Sequence, residues 1–170
     1  MSTDLALFVL RVVVGVVIFA HGALKLGWVG KGGSIAGVGG WFDSIGMKPG
    51  IFWALVAVLA EAGGGVLMIL GLGGPIGPSI VAADLVVVTI VAHLPKGFWA
   101  HEGGWEFPVP VAAGAFAVAL IGNGAWSLDA MLGLKYPEGL AQAWGALMVA
   151  GVILVLVIRA VAAPKPSPKT

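Results

Sequence analysis

The hydrophobic pattern of this chain consists of long apolar runs separated by short segments that carry glycine, proline and charge. The run at residues 51–72 is the clearest, because its side chains are apolar or small except for Glu61. At about 1.5 Å per residue, a helix of that length measures roughly 33 Å, enough to cross the hydrocarbon core of a bilayer. The pattern predicts a membrane-spanning helix with a carboxylate near its middle, which must face other helices and needs a partner.

Other apolar runs predict further spans, at residues 5–26, 79–94, 108–124 and Leu140–Ala162. The first run is too long for a signal peptide, carries Asp4 where a basic cluster would stand, and is followed by no small-residue cleavage site. After it, residues 38–45 predict a short interfacial piece with Trp41 and Phe42 at the headgroup level.

Composition agrees with a membrane protein and excludes several kinds of chemistry. Hydrophobic residues make up 59% of the chain and charged residues 10%, against about 25% charged in soluble domains. The net charge of +1 and the lack of a basic run give no indication of nucleic-acid binding. Without cysteine the chain has no disulfide or thiolate chemistry. It also has no nucleotide-binding loop and no metal-spaced His/Glu set, so neither a self-contained enzyme nor a metal site is expected.

Lysine and arginine near the span ends predict the orientation in the membrane. One side receives Lys25, Lys31, Lys48, Lys96, Arg159, Lys165 and Lys169. The other side receives only Lys135. Because basic residues stay on the cytoplasmic side, this imbalance predicts an outside N-terminus and a cytoplasmic C-terminus.

The charges inside the spans predict a buried polar cluster. At about 1.5 Å per residue, Arg11 and Asp84 lie within roughly 7 Å of the depth of Glu61, so one guanidinium is expected to bind both carboxylates. Arg11, Gly15, Gly22 and Lys25 also fall near one face of the first span, which suits packing against an acidic neighbour. The Arg11–Glu61–Asp84 cluster has two readings, an ion network that only fixes helix register or a site that handles protons or a ligand.

Two histidines and two tryptophans complete the candidate residues. His21 and His93 fall at a similar depth, where imidazoles ligate haem or metal or hydrogen-bond a quinone carbonyl. Haem is not expected, because His93 follows Asp84 by nine residues and is half a turn out of phase with it. Hydrogen-bonded structural histidines are the simpler expectation. Trp99 and Trp105, in the loop after the third span, are typical of an interface belt.

Four blocks of sequence together resemble the DoxX family of small bacterial membrane proteins, over about residues 5–133. They are the Arg11, Gly15, His21, Gly22, Lys25 and Leu26 pattern, residues 42–50 (FDSIGMKPG) leading to Ala60 and Glu61, residues 93–98 (HLPKGF) with 103–108 (GGWEFP), and residues 122–129 (GNGAWSLD). The resemblance implies an all-α membrane protein of the bacterial inner membrane with a four-helix transmembrane bundle.

Here the DoxX-type four-helix bundle would occupy residues 1–133, and residues 134–162 would add a fifth C-terminal transmembrane helix. A cytoplasmic tail at residues 163–170 is disordered by composition. The chain departs from the family pattern by this fifth helix, which suits docking of a partner.

The resemblance also implies a role beside membrane oxidoreductases. Some relatives belong to thiosulfate:quinone oxidoreductase, and others associate with superoxide dismutase and a sulfurtransferase in redox defence. It therefore implies a membrane subunit of a redox complex that contacts a quinone, such as menaquinone, through the buried cluster. The candidate quinone contacts are His21, Lys25, His93, Trp99 and Trp105.

Two other functions are compatible with the same residues. One is a small proton-coupled transporter in which Glu61 is the coupling carboxylate, and the other is a non-catalytic membrane anchor. The expected partners are the lipid bilayer and other subunits of a membrane redox complex, and the glycine-rich spans permit a homo-oligomer.

Overall fold

The computed structural model describes residues 2–31 and 33–162, and its regular elements there are helices. They are α1 (Ser2–Lys25), α2 (Ile35–Ser44), α3 (Gly50–Leu70), α4 (Ile76–Lys96), α5 (Pro108–Ile121), α6 (Leu128–Met131) and α7 (Leu140–Ala162). The predicted interfacial piece is α2, whose first turn is capped by the Ser34 hydroxyl accepting from the Gly37 backbone N–H at 3.0 Å. The predicted tail at 163–170 lies outside the described residues.

Four of the described helices, α1, α3, α4 and α7, are long and apolar enough to cross a membrane. The predicted fourth span is shorter than expected, because α5 ends at Ile121 instead of residue 124. Gly122 stops it with a positive φ of 99°, a backbone conformation that glycine adopts without strain. At 14 residues α5 is about 21 Å long, less than the thickness of a bilayer core.

Two of the long helices contain π turns, at Leu59–Gly63 in α3 and Thr89–His93 in α4. Such turns insert one residue into an α-helix and rotate the remainder of the helix about its axis, and they are frequent at functional sites. Glu61 lies inside the first π turn and His93 ends the second. The helix distortions therefore coincide with ionisable residues in the spans.

Glycines let the backbones of α1 and α3 touch. A Cβ on Gly22 would come within 2.6 Å of the Ala62 backbone nitrogen. A Cβ on Gly65 would come within 2.8 Å of the Gly15 carbonyl oxygen. Close approach through small residues is typical of helix packing in membranes. The prediction that the small, basic face of α1 packs against an acidic neighbour is confirmed, since that neighbour is the helix that carries Glu61.

The core lies between α1, α3, α4 and α5 and contains fully buried residues from each of them, including Ile18, Met68, Val81 and Val118. The fifth span, α7, packs along α4 outside this core and has no buried residue. We call the end of the bundle that carries α2, Lys25 and Lys96 the α2 end, and the end that carries the turn at 71–75 and residues 122–139 the Asp129 end.

Candidate functional site

Arg11 binds backbone carbonyls and not the acids of the spans. Its guanidinium donates to the carbonyl oxygens of Met68 and Ile69, both at 2.7 Å, and of Trp126 at 2.6 Å. The predicted pairing of Arg11 with Glu61 and Asp84 is therefore wrong. The physical reason is the register of α1 on α3, which sets Arg11 opposite Met68, seven residues and about 10 Å beyond Glu61. There the carbonyls of the last turn of α3 carry the partial negative charge of the helix C-terminus and attract a cation.

Lys25, from the last turn of α1, supplies the cation that Glu61 needs. Its ammonium donates to both carboxylate oxygens of Glu61, at 2.6 and 2.5 Å. The side chain of Glu61 is only 4% exposed, whereas that of Lys25 is 23% exposed. The ion pair therefore reaches from the α2 end into the bundle, with the carboxylate on the buried side.

Asp84 lies at the same level as Glu61 on the neighbouring helix. Gly64 of α3 packs against Val81 of α4. Because the two helices run in opposite directions, Glu61, three residues before Gly64, lies at the level of Asp84, three residues after Val81. Asp84 is within electrostatic range of Glu61 and Lys25. Its Oδ2 atom is buried and has no hydrogen-bond partner among the described residues. The two acids therefore lie at one level on facing helices, with Lys25 as the cation bound to Glu61.

A second polar cluster, at the Asp129 end, joins the turn after α3 to the segment after α5. The Asp129 carboxylate accepts from the backbone N–H groups of Gly73 and Gly74 at 3.0 and 2.8 Å. It also accepts from the Asn123 amide at 2.7 Å and the Tyr136 hydroxyl at 2.6 Å. We call these five residues the Asp129 clasp. It explains the sequence block at 122–129 as structural.

Electrostatics at the clasp follow from these bonds. Burial raises the pKa of Asp129, but the hydrogen bonds from Tyr136, Asn123, Gly74 and Gly73 outweigh this effect. The pKa of Asp129 therefore lies below its ordinary value. The same Tyr136–Asp129 bond raises the pKa of the phenol. Asp129 is thus held as a carboxylate, within electrostatic range of Arg11.

An apolar pocket of about 400 Å³ opens between α2, α3, α4 and α7. Its walls are aromatic and aliphatic side chains, and Asp84 is the one ionisable side chain among the described residues that line it. The lining includes Trp41 and Phe42 from α2, Trp53 and Ala57 from α3, Val87 and Val91 from α4, and Met148, Gly151, Val152 and Val155 from α7. The deep acid is therefore connected to a cavity that suits a lipid-soluble ligand.

Within the described part of the chain, two polar groups in the pocket wall lack hydrogen-bond partners. They are Asp84 Oδ2 and the indole Nε1 of Trp53, both buried. Glu61, which lies at the level of Asp84, follows Trp53 by eight residues of α3, or about 12 Å. The two groups therefore lie towards opposite ends of the pocket. Because buried polar groups are normally hydrogen-bonded, a partner supplied from outside the described chain fits both positions.

The histidines lie beside this network but outside the pocket. His93 donates from Nδ1 to the Gly103 carbonyl at 2.7 Å, so its ring is hydrogen-bonded as expected. His21 stacks on Phe107, with ring centroids 5.8 Å apart, and is within electrostatic range of His93. The π turn lowers the angle between His93 and Asp84 from about 180° to about 80°. Even so, neither histidine lines the pocket.

Trp99 and Trp105 pack in the loop at the α2 end. Their rings lie 5.0 and 4.7 Å from the ring of Phe98, both in edge-on geometry. Neither tryptophan lines the pocket, and neither does Lys25. The interface belt stays a prediction for these residues, and the five candidate quinone contacts have no place in the wall of this cavity.

Sequence reasoning missed the residues that form the pocket apart from Asp84. In the sequence Trp53 stands near the start of a span, where interfacial tryptophans are common. Among the described residues its buried indole nitrogen has no hydrogen-bond partner, and only this structural feature distinguishes it from an ordinary interfacial tryptophan. The wall contributed by α7 includes Gly151, a residue that reads as ordinary span sequence. A missed signal was the concentration of Trp41, Phe42 and Trp53 in the predicted interfacial piece and at the start of the second predicted span.

Comparison with known proteins adds one match. The DoxX family model matches residues 6–94, which is more than half of the chain and runs from α1 through α4 to the π turn ending at His93. The match includes Lys25, Glu61 and Asp84, and it ends before α7. No curated protein and no solved structure matches the sequence. With its apolar helices, this multi-pass membrane protein belongs to the DoxX family.

Proposed function

We propose that this chain is a membrane subunit of a redox complex and that it binds a lipid-soluble quinone in the pocket between α2, α3, α4 and α7. The observation that carries the proposal is the apolar cavity with an unpartnered Asp84 oxygen in its wall. A quinone combines an apolar ring and tail with carbonyl oxygens that accept hydrogen bonds. An unsatisfied buried polar group costs about 1–3 kcal/mol, which a ligand of this class would relieve.

The dimensions of the cavity agree with a long, narrow ligand. Its lining on α4 runs from Ile80 to Val91, about 16 Å of helix. The deep end holds Asp84 and the other end holds Trp41 and Phe42 of α2. A quinone ring beside Asp84 would leave its tail in contact with the aliphatic side chains of α4 and α7.

Titration of the purified full-length protein with a short-tailed menaquinone analogue tests this function. We expect saturable quenching of tryptophan fluorescence, because Trp41 and Trp53 line the cavity. Gly151→Leu should weaken binding by about tenfold or more, since its side chain would occupy the pocket. Gly145→Leu is the matched control, because Gly145 lies on the same helix in open space and outside the lining.

Equal affinity of the two leucine variants, or quenching that does not saturate, contradicts the proposal. Membership of a redox complex is tested separately, by mild solubilisation from native membranes and mass-spectrometric identification of the proteins that co-purify. We expect oxidoreductase subunits in the preparation from wild type, and their absence would remove that part of the proposal.

A proton-coupled transporter is the second candidate, and the buried Lys25–Glu61 ion pair beside Asp84 favours it. It predicts that Glu61→Gln abolishes pH-driven flux in proteoliposomes while the protein stays folded. Loss of quinone binding in Gly151→Leu with unchanged flux would separate the two functions.

A further inference from the structure

The Lys25–Glu61–Asp84 group contains one cation and two acids, at one level of the bundle. Lys25 directs its ammonium to both oxygens of Glu61 and not to Asp84. Glu61 and Lys25 are the charged groups that act on Asp84 from α3 and α1. From α2 and α7 the facing groups in the pocket wall are uncharged.

Charge balance decides the state of the second acid. The Lys25–Glu61 pair is neutral, so an ionised Asp84 would leave a net negative charge in the span interior, which is costly. A buried carboxylate also needs hydrogen-bond donors, and Asp84 Oδ2 has none among the described residues. A carboxyl group that keeps its proton avoids both costs.

We propose that Asp84 is a neutral carboxyl group when the pocket is empty and that it donates its O–H to the ligand, so that the site takes a carbonyl-bearing ligand, the oxidised form of a quinone. Trp53 Nε1 at the other end is a donor only. Lys25 and Glu61 act through Asp84 as positioning residues, because their mutual pairing leaves Asp84 without a cation. This inference rests on the proposed function for its ligand, but its statement about the Asp84 proton does not.

Infrared spectroscopy of the wild-type protein tests the proton without any ligand. We expect a carbonyl stretching band of a protonated carboxyl group that shifts in D₂O and is missing in Asp84→Asn. Glu61→Gln gives a second route, because Lys25 is then free to pair with Asp84 and the band should also disappear. A wild-type spectrum with no such band, or a band that persists in both variants, overturns the proposal.

Binding of a menaquinone analogue in its oxidised and chemically reduced forms tests the ligand selection. The oxidised form should bind the wild type at least as tightly as the reduced form. In Glu61→Gln its affinity should fall about tenfold, because an ionised Asp84 accepts and cannot donate. Asp84→Asn, which keeps a donor, should bind the oxidised form more tightly than Asp84→Leu does.

A reduced analogue bound about tenfold more tightly than the oxidised one in the wild type overturns the selection, since an acceptor-only carboxylate gives that pattern. Absence of binding by either form overturns the proposed function together with the selection. In that case the infrared band still decides whether Asp84 holds a proton, so the two failures are distinguishable.

Discussion

Lys25 and Arg11 exchange the roles that their positions in sequence indicate. A lysine in the last turn of a span is expected to reach the interface, and an arginine inside a span is expected to meet an acid. Here Lys25 reaches back to Glu61, and Arg11 binds the carbonyl oxygens of Met68, Ile69 and Trp126. Depth along each separate helix could be predicted from the sequence. The register between helices could not, and it decides which groups meet.

Removing the cation of the buried pair should destabilise the protein. Lys25→Met leaves Glu61, whose side chain is 4% exposed, without its partner. We expect a loss of about 3–5 kcal/mol in the free energy of unfolding, measured by denaturant titration in detergent. The cause is the uncompensated charge and not the lost contact.

The double variant Lys25→Met/Glu61→Gln is the control for that cause. It removes both charges and should recover most of the lost stability, because a neutral pair has no charge left to solvate. A double variant as unstable as Lys25→Met would contradict the electrostatic explanation and indicate lost packing by the lysine stem.

The Asp129 clasp gives the stability an acid-side pH dependence. The folded pKa of Asp129 lies below its ordinary value, near 3.9 in model peptides, so its contribution is fully present above about pH 4 and lost as pH falls through the folded pKa. Asp129→Asn should lower stability at neutral pH by about 1.5–3 kcal/mol. Thermal unfolding between about pH 3 and pH 7 should then show a smaller acid-side decline in Asp129→Asn than in wild type.

At the scale of helices, the contact of α1 with α3 depends on glycines, which have no side chain to keep the two backbones apart. The one-face spacing of Gly15, Gly22 and Lys25 on α1 predicted this contact correctly, because a helix repeats every 3.6 residues. The π turns at Leu59–Gly63 and Thr89–His93 had no such signal. They depend on tertiary packing, which no local pattern in the sequence reports.

A methyl group at the helix contact should separate α1 from α3. Gly22→Ala places a Cβ 2.6 Å from the Ala62 backbone nitrogen, and backbone cannot move aside as a flexible side chain can. We expect a loss of about 1–3 kcal/mol in unfolding free energy, from overpacking next to the Lys25–Glu61 pair. Gly145→Ala is the control, since no atom lies within 4 Å of its new Cβ, and equal destabilisation of both variants would contradict the contact.

At the scale of the molecule, the order of the apolar helices could be predicted from hydrophobic runs, but neither the short length of α5 nor the pocket could. The pocket needs the wall that α7 contributes beside α4. No residue of α7 is buried, so its sequence has no inward face for a pattern to indicate. The fourth span was predicted too long for a similar reason. The predicted span included Gly122, Asn123 and Gly124, whereas the positive φ of Gly122 ends the helix and turns the chain into the Asp129 clasp.

The bundle has an uneven charge distribution between its two ends, and this distribution predicts its orientation. Among the described residues, and leaving out Arg11 because it lies within α1, the α2 end carries Lys25, Lys31, Lys48, Lys96 and Arg159, and the Asp129 end carries Lys135. Because basic residues are retained in the cytoplasm, the α2 end should be cytoplasmic and the Asp129 end should face outward. The end of the pocket that Trp41 and Phe42 line would then lie towards the inner leaflet.

Single cysteines test this orientation directly, because the natural chain has none. Lys31→Cys and Glu138→Cys place an exposed thiol at the α2 end and the Asp129 end respectively. In intact spheroplasts a membrane-impermeant maleimide should label Glu138→Cys and leave Lys31→Cys unlabelled, whereas both should react after permeabilisation. The reverse pattern would put the Lys25–Glu61 pair and the α2-lined end of the pocket on the outer side, and any redox partner would then have to reach the site from outside the cell.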